Sequence, residues 1–128
     1  MISRLVWVGL GGFAGAVLRY LASGWVQSAS GSPSFPWGTL AVNAAGCLAI
    51  GALSYLADTR GIIHPEARLF LIVGVLGGFT TFSAFGNETM NLIRDGENLL
   101  AAANVLASVF LCLAAVWTGR AIAVTIWR

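Results

Sequence analysis

The chain has 128 residues, of which 58% are apolar and only 9% charged, with a formal net charge of +2. Its mean hydropathy is +0.84, whereas soluble domains carry roughly 25% charged residues. Too little polar material exists for a solvated surface, which excludes a soluble enzyme, a nucleic-acid binder and a disordered chain. The positive charge comes from scattered arginines without one lysine, so no basic stripe awaits a polynucleotide. The composition is that of an integral membrane protein.

A helix crossing ~30 Å of hydrocarbon at ~1.5 Å per residue needs about 20 residues with few charges. Four segments qualify, predicting a single all-α transmembrane domain over 1–128. The first, 5–26, is interrupted only by Arg19, and Gly11 and Gly15 form a small-residue pair suited to close helix packing. A cleaved signal peptide is its rival, with Arg4 as the positive region and Ala22-Ser23-Gly24 as the cleavage site. Arg19-Tyr20 stands just before that site, where small neutral residues are wanted, and so favours a retained span.

The second segment, 37–57, has no charge and carries Asn43 about two turns in. The third, 69–93, contains Gly74, Gly77-Gly78, Thr80-Thr81, Phe82, Ser83 and Phe85, with Glu88 late in its length. The fourth, 99–118, places Asn104 and Ser108 one turn apart on one face, and its helix can continue towards Trp127. The connectors are short and polar. One of them, 58–68, holds Asp58, Arg60, the single His64, Glu66 and Arg68.

Arginine placement bears on orientation. Arg4, Arg60, Arg68, Arg120 and Arg128 fall on the N-terminal side, and Arg19 and Arg94 on the other. The positive-inside rule then puts both termini in the cytoplasm with a modest bias. Cys47 and Cys112 lie deep in apolar runs and read as small packing residues. No nucleophile–base pair or metal-ligand cluster is visible, so enzymatic activity is not expected.

The polar residues within the spans carry the functional information. Gly-Gly followed by two β-branched threonines in the third span suits local unwinding. Unwound backbone in hydrocarbon costs several kcal/mol per unpaired group unless protein or water covers it. The alternative is a continuous helix in which Gly74 and Gly78, spaced GxxxG, permit close contact. Both readings stand at this point.

Phe82 and Phe85 share a helix face at i and i+3, as lipid-facing filler or as part of a polar-aromatic passage with Thr80, Thr81 and Ser83. Ring edges are electropositive and would favour an anion. Asn43 brings two amide donors, useful to a dehydrated anion or to an interhelical hydrogen bond of about 0.6–2 kcal/mol. Arg19 is an interfacial anchor or a lure for anions, and Glu88 can reach headgroups near Arg94.

Three motifs in order, Gly11-Gly12-Phe13-Ala14-Gly15-Ala16-Val17-Leu18-Arg19-Tyr20, Trp37-Gly38-Thr39-Leu40-Ala41-Val42-Asn43-Ala44-Ala45-Gly46 and Gly74-Val75-Leu76-Gly77-Gly78-Phe79-Thr80-Thr81-Phe82-Ser83-Ala84-Phe85, resemble the Fluc/CrcB family of fluoride channels. The resemblance covers essentially the whole chain. It implies an antiparallel, dual-topology homodimer with two pores along the interface and a third helix broken at the Gly-Gly-x-Thr-Thr element. It implies a structural Na⁺ on the carbonyls of Gly77 and Thr80, and a pore formed by Phe82, Phe85, Asn43 and Ser83, with Arg19 in a vestibule. The implied activity is passive fluoride efflux across a bacterial inner membrane.

This chain departs from many relatives in carrying Asn104 where they have tyrosine, and its arginine bias sits awkwardly with dual topology. Two rivals have other chemistry. A small proton-coupled drug exporter would need a buried carboxylate, for which only Glu88 is available. A structural subunit would conduct no ion.

Overall fold

The computed structural model describes residues 1–127; Arg128, counted above for orientation, lies outside the described residues. Among the described residues there is no strand. Four helical stretches are long and apolar enough to cross a membrane: Ile2–Ser30, Trp37–Thr59, Pro65–Arg94 and Asn98–Ile126. Each outruns the apolar stretch read from the sequence, the second at its C-terminal end only, because helical winding continues into flanking polar residues until a turn residue stops it.

The first stretch is α1 (Ile2–Ser30), closed by Gly31 in the left-handed conformation at φ 64°. Gln27 organises the turn that follows. Its Nε2 donates to the carbonyls of Ser32 and Phe35, and its Oε1 accepts from the Gly38 N–H that opens the next helix. That helix, α2 (Trp37–Ser54), runs on as a π-helical turn over Tyr55–Thr59. The connector is tied back by a half-exposed Arg68–Asp58 pair at 2.8 Å, which contributes at most about 1 kcal/mol. Arg60 donates to the Trp127 carbonyl, so this connector lies beside the C-terminal end.

The third stretch is composite. It begins as α3 (Pro65–Arg68), widens into a π-helix over Leu69–Leu76, and narrows to α4 (Gly77–Phe79). Thr80 (φ −88°, ψ 154°) and Thr81 (φ −150°, ψ 117°) are extended, and α5 (Phe82–Arg94) restarts the helix. The Thr81 hydroxyl accepts from the Ala84 N–H and so caps α5. The last helix is α6 (Asn98–Ile126).

The helices pack in two pairs. α1 lies along the π-helical segment and α4, while α2 lies along α6. Glycines set both distances. A Cβ on Gly11 would collide with the Phe70 carbonyl, and one on Gly51 with the Val116 carbonyl. Backbones in membranes approach this closely only where side chains are absent, and dispersion over the contact then holds the pair. The outer faces of α1 and α6 expose Phe13, Tyr20, Phe110 and Trp117, a surface suited to lipid or to another copy rather than to water.

These contacts predict position-specific effects of alanine. Gly51→Ala should lower stability by roughly 1–3 kcal/mol through overpacking. Gly24→Ala, where nothing lies within 4 Å, should leave the midpoint unchanged or raise it slightly through helix propensity. Thermal unfolding of the two variants in detergent checks the contrast.

Candidate functional site

The extended residues Thr80 and Thr81 are the place to begin, because their backbone groups leave the helical ladder. Asn43 from α2 meets Thr81 in both directions. Its Nδ2 donates to the Thr81 carbonyl at 3.0 Å, and its Oδ1 accepts from the Thr81 N–H at 2.7 Å. One amide side chain thus replaces two lost main-chain bonds. Its second Nδ2 hydrogen is not required by this pairing.

Arg19 from α1 supplies another replacement. In an unbroken helix the Gly78 carbonyl would accept from the residue 82 N–H; here it accepts from Arg19 Nε at 3.1 Å. Thr80 keeps its own N–H and hydroxyl on the Leu76 carbonyl, at 3.0 and 2.9 Å. Gly77 and Thr80 lose the donors a continuous helix would give their carbonyls, since the Thr81 N–H turns to Asn43 and the Ala84 N–H to the Thr81 hydroxyl.

A carbonyl oxygen freed in this way is a hard, neutral donor of the kind that suits an alkali or alkaline-earth cation. No group of three or more His, Cys, Asp or Glu residues fit to hold a metal occurs among the described residues.

Beside the extended pair lies a cavity of about 490 Å³, bounded by α2, the third stretch and α6. Asn43, Thr80, Thr81, Phe82, Phe85 and Ser108 all line it. The Phe82 and Phe85 rings stand 5.3 Å apart between centroids at an interplanar angle of 46°. Phe85 is half-buried, whereas Phe82 is 82% exposed and projects from the single chain. Ser83 is exposed outside the cavity, its hydroxyl 3.2 Å from that of Thr81. Arg19 also lies outside it, engaged with Gly78.

Several placements were not legible from the sequence. Asn104 does not line the cavity although Ser108, on the same face, does. It is 1% exposed and donates from Nδ2 to the Thr89 hydroxyl at 2.9 Å. Thr89 in turn donates to the Phe85 carbonyl at 2.8 Å. Glu88 engages Thr39, which donates to Oε1 at 2.6 Å, and its buried Oε2 has no hydrogen-bond partner among the described residues. Arg94 pairs with Asp95 at 3.2 Å rather than with Glu88. Cys47 and Cys112, read above as packing residues, both face the cavity. Their partners come from helices far apart in sequence, so periodicity carried no signal for them.

Residues 6–120 match the family model described as CrcB-like protein, Camphor Resistance (CrcB). The chain is 47% identical over 123 residues to a fluoride-specific ion channel FluC of Rhodospirillum rubrum, covering 94% of this chain and 95% of that protein. It is 50% identical over 108 residues to one of Geobacter sulfurreducens, covering 84% and 86%. A third, from Methylocella silvestris, is 42% identical over 123 residues, covering 94% and 93%.

The Asn104–Thr89 contact should be measurable by a double-mutant cycle. Asn104→Ala and Thr89→Val are expected to be coupled by about 0.6–2 kcal/mol, the range for membrane hydrogen bonds. Equilibrium unfolding of both single variants and the double variant in detergent reads the coupling directly.

Proposed function

The chain belongs to the CrcB family, and from that footing we propose that it is a fluoride-selective channel through which F⁻ leaves the cytoplasm passively. The observation that carries this reading is the convergence of Asn43, the extended Thr80–Thr81 pair and the Phe82–Phe85 rings on one cavity wall. Fluoride is small and strongly hydrated, so a passage must replace its water without holding it too firmly. The spare Nδ2 hydrogen of Asn43 and the Ser108 hydroxyl supply neutral donors. The electropositive edges of Phe82 and Phe85 add a weak attraction that a cation would not feel. Larger, more weakly hydrated halides gain less from such donors and fit a narrow path poorly.

The working unit on this reading is an antiparallel homodimer inserted in both orientations. Phe82 projects from the chain and Gly77 is exposed, so one copy leaves interrupted backbone uncovered beside the ring, and it is the unpaired backbone carbonyl that hydrocarbon does not tolerate. A second, inverted copy covers them and completes two pathways at the shared seam. The carbonyls of Gly77 and Thr80 would hold a structural Na⁺ there; when bound, the ion supplies positive charge to oxygens that have lost their helical donors. Asn43 and Arg19 orient this backbone, and Ser83 stands near it as a hydroxyl at the pathway's edge. Arg19 remains close enough to the helix interruption to draw anions towards it.

Glu88 bears on the exporter alternative. Proton-coupled export of a cation needs a carboxylate in the substrate cavity, but Glu88 is held by Thr39 and does not line the cavity. Fluoride efflux from proteoliposomes, with chloride as control, tests the proposal. Fast fluoride efflux that excludes chloride is expected, reduced at least tenfold by Phe82→Ile or Asn43→Asp; equal chloride flux would overturn it. The structural cation makes a separate claim: replacing Na⁺ by a large organic cation should lower the thermal midpoint and shift the sedimenting species towards monomer.

A further inference from the structure

Cys47 on α2 and Cys112 on α6 are both free, both half-buried, and both on the wall of the same cavity. The helices that carry them are locked at backbone contact one turn further on, where Gly51 meets Val116. Since Cys47 and Gly51 share a helix face, as do Cys112 and Val116, that contact brings the two cysteine positions opposite each other at the cavity wall. Two soft donors are thus held side by side in a cavity otherwise lined by amide, hydroxyl and hydrocarbon.

We propose that Cys47 and Cys112 form a two-thiol site for a trivalent arsenic centre. A linear two-coordinate soft ion needs its sulfurs on opposite sides, whereas pyramidal arsenic(III) takes two sulfurs side by side and keeps a third substituent. The neighbouring wall, with Ile50, Val109 and Leu113, gives an aryl or alkyl substituent an apolar seat. Soft sulfur is the donor class such a centre selects, and both cysteines are free to supply it. With an organoarsenic oxide, two S–H bonds break and two As–S bonds form. The oxo oxygen leaves with both protons as water. Arsenic stays trivalent and no oxidant is needed.

The adduct would fill space shared with Asn43, Phe82 and Phe85, so it should obstruct conduction; this consequence rests on the channel reading. Phenylarsine oxide is the probe, applied to the full chain in detergent and in proteoliposomes. Intact mass of the labelled protein should show one phenylarsenic group per chain, with both thiols lost to a thiol-titrating reagent. The label should survive excess 2-mercaptoethanol, which strips single-thiol adducts, and be released by dithiothreitol. Cys47→Ser and Cys112→Ser should each reduce retention under monothiol at least tenfold. Two groups per chain, or loss of the wild-type label to 2-mercaptoethanol, would overturn the site, and this measurement on the unmutated chain holds even if a serine variant does not fold.

In proteoliposomes, labelling should cut fluoride efflux at least tenfold and dithiothreitol should restore it. Undiminished efflux through fully labelled protein would overturn the placement of the site in the conducting cavity. Absence of efflux before labelling would count against the channel reading alone, leaving mass and thiol counts to decide the site.

Discussion

The two-way bond between the Asn43 amide and the Thr81 main chain is the constraint around which the rest is arranged. A chain in hydrocarbon has no water to satisfy a stray N–H or C=O, and each orphan costs several kcal/mol. Two extended residues inside a membrane span therefore survive only with dedicated partners. Asn43 serves the Thr81 peptide, Arg19 serves the Gly78 carbonyl, and the Thr81 hydroxyl caps the helix that follows. Three spans contribute to one short interruption, which couples its geometry to the packing of the whole protein.

That coupling explains the distribution of glycine. α1 must lie close enough for Arg19 to reach Gly78, and α2 close enough for Asn43 to reach Thr81. Gly11 and Gly74 set the first approach; Gly46, where a Cβ would meet the Thr80 side chain, sets the second. Gly74 and Gly78 thus serve close packing against α1, while the extended backbone begins two residues after Gly78. The two roles weighed for this glycine-rich run are compatible because they fall on successive turns.

Beyond the interruption, α5 is held differently. Its hold on α6 runs through the buried Asn104–Thr89 bond, with Thr89 in turn on the Phe85 carbonyl. Asparagine at 104 therefore acts in this chain as an interhelical tie behind the aromatic pair, and the cavity wall on α6 is left to Ser108, Cys112 and their apolar neighbours. The same face of one helix supplies both a tie and a lining because α5 covers only its first part.

Composition and span length were enough to establish an all-helical membrane protein, since the cost of burying charge in lipid leaves few other arrangements for so apolar a chain. The residues that gather at the interruption and beside the cavity were also visible one by one: Asn43, Arg19, the Gly-Gly-x-Thr-Thr run and the phenylalanine pair are all conspicuous against apolar surroundings. Their partners were not. Hydrogen bonds between α1 and Gly78 or between α2 and Thr81, and the meeting of Cys47 and Cys112 on one cavity, depend on how four helices meet, and helical periodicity gives each helix a face without saying what that face touches. Only the tertiary structure assigned Asn104 to Thr89 and Glu88 to Thr39, because the choice among nearby polar partners is made by backbone separation, which the packing of glycines fixes in three dimensions.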